Sequence, residues 1–103
     1  IENRLKKKMR LEIDATVQYA LGKHVNRVMF RHLKVDSPYN TYRKRGLPPG
    51  PISNPGRKAI IAAANPATTP YYFYVLGSDR RNHVFTSTYA DHLTAIRKYR
   101  PKP

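Results

Sequence analysis

Tyr71-Tyr72-Phe73-Tyr74-Val75-Leu76, then the polar run Gly77 to Asn82, then His83-Val84-Phe85, is the stretch that decides the fold class. Aromatic and β-branched side chains suit the pleated surface of a strand. The polar segment between the two apolar runs reads as a turn, so together they predict an antiparallel hairpin. Tyr71 to Tyr74 are expected in the core. Just downstream, Thr88-Tyr89-Ala90-Asp91 has the spacing of a capping box, with aspartate in place of glutamate. The helix it opens presents Tyr89, Leu93, Ile96 and Arg100 at helical spacing. This helix is predicted to pack on the hairpin, burying Phe73, Val75 and Phe85 beside Leu93 and Ile96. The tail Pro101-Lys102-Pro103 reads as frayed.

Upstream, helices dominate. Residues 1–8 read as a helix whose basic end suits the negative pole of the helix dipole. Asp14 can cap a second helix running to Leu21, with Val17, Ala20 and Leu21 on one face and Gly22 as the stop. Residues 23–37 fit no single element. Between 38 and 56 lie Pro38, Pro48, Pro49, Pro51 and Pro55 with Gly46, Gly50 and Gly56, which excludes a helix or a central strand. Asn54-Pro55 predicts a third helix start, and Ala59 to Ala64 are so uniformly apolar that the helix is expected to be buried. The order of elements gives an α+β class: one small antiparallel hairpin packed with helices.

The chain has 103 residues, enough for one small domain or a piece of a larger one. Its opening, Ile1 to Leu5, reads like the middle of a helix, as in a fragment of a longer chain. With no cysteine, disulfides and thiolate metal sites are excluded. No apolar run reaches the ~20 residues that span a bilayer. Twenty Lys and Arg against six Asp and Glu give a net charge of +14, which favours polyanionic partners without choosing among them. The densest run is Arg4, Lys6, Lys7, Lys8 and Arg10, and Arg43-Lys44-Arg45 follows it. A merely solvated cationic surface is the plain alternative.

Candidate chemistry is sparse. His24, His32, His83 and His92 form no metal-ligand spacing, so no metal site is expected. Glu12 and Asp14 would share a face in an extended segment, an arrangement open to acid/base work on a glycoside. Asp14 as a helix cap and Glu12 as a surface charge account for the same residues more simply. Ser37-Pro38-Tyr39-Asn40-Thr41-Tyr42, followed by Gly46-Leu47-Pro48-Pro49-Gly50-Pro51-Ile52, is a stiff loop carrying neutral donors and acceptors. Such a loop suits a hydroxyl-rich ligand, and equally an inert Ω-loop.

These residues resemble a family. Asn3-Arg4-Leu5 and Met9-Arg10-Leu11-Glu12-Ile13-Asp14-Ala15-Thr16-Val17-Gln18-Tyr19-Ala20-Leu21 are similar to the "NRL…M.LQ.D.TV.YAL" block of the YceG-like family. Ser37 to Tyr42 with Gly46 to Gly56 resembles its "SPYNTY…GLPPGPI.NPG" signature. Glu12 stands where glutamine is common and Ala15 where many members carry proline. The resemblance implies an endolytic murein transglycosylase, with residues 1–103 the C-terminal portion of a larger lysozyme-like catalytic domain. A glutamate would protonate the glycosidic oxygen between N-acetylmuramic acid and N-acetylglucosamine, then act as base while the muramic C6 hydroxyl attacks, leaving a 1,6-anhydro end. That glutamate is expected upstream of this chain, so no catalytic residue is assigned here and the isolated chain is expected to be inactive. The parent would be anchored by an N-terminal membrane helix, with the catalytic part on the extracytoplasmic face of the bacterial membrane.

On this reading the chain supplies cleft walls, and Asp14, Thr16, Asn40, Thr41 and Tyr42 are its candidate substrate-cleft residues. Asn40→Ala is expected to impair turnover more than stability. Partners would be peptidoglycan glycan strands, with cell-wall synthesis proteins and an anionic membrane surface or wall polymers as further candidates. Two rival classes remain: a basic nucleic-acid-binding module, argued from charge alone and lacking any reading motif, and a non-catalytic wall- or partner-binding domain.

Overall fold

The computed structural model describes residues 1–99, so Arg100 on the predicted helical face and the tail Pro101 to Pro103 lie outside the described residues. The elements run α1 (Glu2–Lys6), α2 (Asp14–Leu21), a 3₁₀ turn (His32–Lys34), α3 (Arg57–Ala64), β1 (Phe73–Leu76), β2 (His83–Thr86) and α4 (Tyr89–Tyr99). This is an α+β architecture. It divides into two compact units, Ile1–Ala67 and Thr68–Pro103.

In the first unit α2 is the central helix. Gly22 closes it at φ +72, a left-handed conformation that a side chain resists, and its N–H returns to the Tyr19 carbonyl. Val17 is completely buried and Leu11 nearly so. Full burial of one valine contributes about 1.5–3 kcal/mol. The apolar core here is therefore small, and the rest of the interior is polar: Thr16, Asn40 and Thr41 are buried with it. Residues 38–56 contain no helix or strand. Tyr39 stacks at a tilt on Tyr19, ring centroids 4.7 Å apart. A Cβ on Gly50 would sit 3.2 Å from the Tyr39 hydroxyl, so the chain passes close to that ring there.

Two expectations fail in this unit. Asp14 is the first residue of α2, with Ile13 at the cap position and no side-chain cap. Its carboxylate instead accepts the Tyr42 hydroxyl. Helix α3 begins two residues later than Asn54-Pro55 suggests, capped by Gly56, and none of its residues is buried. Ile60 is 56% exposed. An all-round apolar pattern records what a helix needs, and the described residues do not cover this one.

In the second unit β1 and β2 pair antiparallel, Phe73 opposite Thr86 and Leu76 opposite His83. The ladder continues outward through the Tyr72 N–H to the Thr86 carbonyl. Alternation puts Phe73, Val75, Val84 and Thr86 on the more buried face and Tyr74, Leu76, His83 and Phe85 on the exposed one. Thr88 accepts the Asp91 N–H at 3.2 Å and so caps α4. Phe73 then stacks on His92, centroids 4.9 Å apart, and meets Tyr89 at 5.8 Å.

The predicted packing of hairpin and helix is present, but with a different set of residues. Phe85 is 52% exposed and stacks on Tyr71 at 5.7 Å on the outer face. Tyr71 and Tyr74 are also exposed, so the aromatic run is split between the two faces and does not lie wholly in a core. On α4 the buried position is Ala95, flanked by the half-buried His92, Ile96 and Tyr99, while Leu93 is exposed. A small residue at the centre lets helix and strands approach, and a stripe at i, i+3, i+4, i+7 faces them.

Candidate substrate-binding junction

The candidate residues converge where the loop Tyr39 to Tyr42 crosses the segment entering α2. Thr41 is the hub. Its Oγ1 accepts the Ile13 N–H at 2.9 Å and lies 2.8 Å from Thr16 Oγ1. Thr16 Oγ1 also donates to the Ile13 carbonyl at 2.6 Å. With that proton committed, the Thr41 hydroxyl is the donor between the two threonines. The Thr41 carbonyl accepts the Glu12 N–H at 3.2 Å. Two hydroxyls thus satisfy the backbone where α2 begins, at positions that no apolar side chain could serve.

Asn40 lies behind the hub and is wholly buried. Its amide nitrogen donates to the Leu33 and Val35 carbonyls, both at 2.9 Å. Its Oδ1 accepts the Tyr42 N–H at 3.0 Å. Both amide protons and the carbonyl oxygen are therefore engaged within the chain. The Asn40 side chain, expected to face the substrate, points inward here and ties the loop to the 3₁₀ turn.

Tyr42 reaches the surface, where its hydroxyl donates to Asp14 Oδ1 at 2.5 Å. Arg10 donates from its guanidinium to the Tyr42 carbonyl at 2.9 Å, and Arg4 does the same to the Leu11 carbonyl at 2.8 Å. Neither arginine stood out from its basic run in the sequence. Composition cannot separate a cation holding a carbonyl from one facing water. Glu12 has φ +52, so the segment is not extended there and the shared face of Glu12 and Asp14 that an extended segment would give does not form. Of the five candidates, Asp14 and Tyr42 are accessible, whereas Thr16, Asn40 and Thr41 support them from inside.

Asp14 and Gln18 are one turn apart on the same face of α2. Ala15, Gln18, Tyr19, Lys23, His24 and Ile52 line an open depression of about 340 Å³ beside that helix. Gln18 Oε1 accepts the Val25 N–H at 3.4 Å, which leaves its amide protons for a ligand. Among the described residues no three His, Asp or Glu side chains gather into a metal-binding group. The arrangement offers hydrogen bonds, a phenol and one cation along a shallow groove, which suits a neutral, hydroxyl-rich ligand.

Comparison with known proteins is decisive for the family: the YceG-like family model matches residues 1–98. The chain belongs to the YceG-like family. It is 50% identical over 97 residues to an endolytic murein transglycosylase of Bacillus subtilis, covering 94% of this chain and 27% of that protein. A Streptococcus pneumoniae protein of the same name is 28% identical over 95 residues, covering 87% of this chain and 17% of its own length. The crystal structure of a yceG-like protein from Listeria monocytogenes superposes with a TM-score of 0.85 at 44% identity, over 90% of this chain and 30% of that one. This YceG-like chain thus spans about a quarter of the Bacillus relative. Its α+β fold is that of part of the family's domain.

Proposed function

We propose that this chain is part of an endolytic peptidoglycan lytic transglycosylase acting on the extracytoplasmic side of the membrane in cell-wall biogenesis, and that it forms one wall of the glycan cleft. The observation that supports this most is the junction itself. In a chain half identical to a murein transglycosylase, the family's signature loop is tied to the start of α2, and of the five candidate residues Asp14 and Tyr42 are the accessible ones, joined by a hydrogen bond. In this reading the general acid is a glutamate outside this chain. It protonates the glycosidic oxygen as the bond to the muramic C1 breaks, then takes the proton of the C6 hydroxyl as that oxygen closes on C1. The role of Asp14 and Tyr42 is to hold sugar hydroxyl and acetamido groups in line for that attack. Thr16, Asn40 and Thr41 keep the pair in place.

The test belongs in the complete enzyme. Tyr42→Phe removes one hydroxyl and releases Asp14 without emptying any interior space. Release of 1,6-anhydro ends should fall at least ~10-fold while Tm moves by no more than about 2 °C, because an exposed contact contributes little to stability and more to a bound transition state. An unchanged kcat/KM would take both residues out of the cleft.

A further inference from the structure

The two basic runs of the first unit, apart in sequence, are joined in the fold. Arg10 holds the Tyr42 carbonyl, and Arg43 holds the Lys34 carbonyl at 3.2 Å and pairs with Asp36 at 3.7 Å. Lys8 and Arg45, with Leu5, Met9 and Gly46, line one shallow depression of about 270 Å³. Lys6, Lys7, Lys8, Arg10, Lys44 and Arg45 are all exposed. Large apolar side chains are exposed next to cations along the chain. Leu47 is 67% exposed immediately after Arg45 and Gly46. Phe30 is 86% exposed between Met29, itself exposed, and Arg31.

A soluble polyanion without unstacked bases, such as duplex DNA or an acidic wall polymer, would be drawn to the cations and gain little from Phe30 or Leu47. A bilayer surface uses both kinds of group. Anionic headgroups attract each lysine or arginine near the surface, and apolar side chains enter the boundary between headgroups and acyl chains. Long cationic side chains can also lay their methylene stems on that boundary while their charges stay among the headgroups. We infer that the joined basic runs Lys6 to Arg10 and Arg43 to Leu47, together with the exposed Met29 to Arg31, dock peripherally on a membrane bearing anionic headgroups. The inference stands apart from the cleft, because none of these surface residues is among Asp14, Tyr42 and the groove.

The experiment is co-sedimentation of the full chain with vesicles of phosphatidylcholine alone and of phosphatidylcholine with 30% phosphatidylglycerol. Binding should require the anionic lipid and weaken as salt is raised. Replacing Lys7, Lys8 and Arg45 by glutamine should weaken it roughly 100-fold, at about 1 kcal/mol for each cation near the surface. Phe30→Ser with Leu47→Ser should weaken vesicle binding at least ~10-fold and leave binding to a soluble duplex DNA probe unchanged. All five side chains are exposed, so the fold should survive, and unchanged far-ultraviolet circular dichroism checks this. Equal binding to neutral vesicles would overturn the inference. So would indifference of vesicle binding to Phe30 and Leu47, or displacement of the chain from vesicles by equimolar phosphate groups on DNA.

Discussion

The two units are held together by different chemistry. In the first, the interior around α2 is small in apolar volume and organised by Thr16, Asn40 and Thr41, whose side chains replace a backbone ladder that an irregular, proline-rich loop cannot supply. In the second, a backbone ladder exists between β1 and β2, and what remains is to cover one face with α4 through Phe73, His92 and Ala95. A loop stabilised by polar side chains can be rigid while presenting chosen groups outward. A hairpin covered on one face is ordered chiefly by area. The first arrangement suits a binding wall, and its cost is that losing one of these side chains strands several buried groups at once.

The largest effect should therefore come from Asn40→Ala. The substitution leaves the Leu33 and Val35 carbonyls and the Tyr42 N–H without their partners and opens a void at a fully buried position. Losing several buried hydrogen bonds should cost about 3–4 kcal/mol. Amide exchange locates the damage. Protection of the Glu12, Ile13 and Tyr42 amides should collapse while that of Tyr72 in the hairpin ladder persists. Parallel loss in both places would make the units one cooperative body and end the contrast.

Phe73→Ala is the reciprocal probe. Phe73 is half-buried, so the cost should be about 2–3 kcal/mol, below that of emptying a sealed aromatic site. Hairpin amides should exchange faster and the amides of Glu12 and Ile13 should not. A cost under about 0.5 kcal/mol, the range of an ordinary surface change, would mean that the ring contacts with His92 and Tyr89 hold nothing.

What could be read from the sequence follows the same divide. The hairpin, the cap at Thr88 and the stop at Gly22 are local events, set by residues within a few positions of each other, and they were legible. Which strand face is covered was not, because aromatic residues occupy both faces from Tyr71 to Phe85 and alternation by hydrophobicity is lost. The exposure of α3 was hidden for a related reason: apolar composition fixes the type of element and leaves its cover unstated. For the junction, the signature loop marked the right residues, but direction was invisible. A threonine, an asparagine and a tyrosine in succession carry the same donors whether they face water or the interior. Only the contact with Ile13, Thr16 and Leu33 assigns two inward and leaves Tyr42 outward.

The smallest effect tests whether charge contributes alongside neutral polar groups and buried area. At the tip of the hairpin, Asp79 Oδ1 accepts the backbone N–H groups of Arg81 and Asn82, each at 3.0 Å, and Oδ2 accepts the Asn82 side-chain amide at 2.8 Å. Those donors favour the ionised carboxylate, the Arg81 N–H most, and they hold its pKa below the ordinary aspartate value. The sign follows from linkage. A carboxyl with a lower pKa folded than unfolded binds its proton more readily once the turn opens, so its contribution is complete above the unfolded value. That contribution fades as pH falls from about 4 through the folded value. Asp79 is fully exposed, so solvent screens the effect, and it should show in the turn and not in global unfolding. Following the Arg81 and Asn82 amide resonances from pH 6 downward should give a midpoint below that of a free aspartate, with the Glu12 and Ile13 amides unmoved. In Asp79→Asn the turn keeps one carbonyl acceptor and the acid transition should vanish. A midpoint at or above the free value would show that the three bonds do not hold the carboxylate in solution, and that the tip is shaped instead by the left-handed Arg80 and the close return of Gly77 to Asn82.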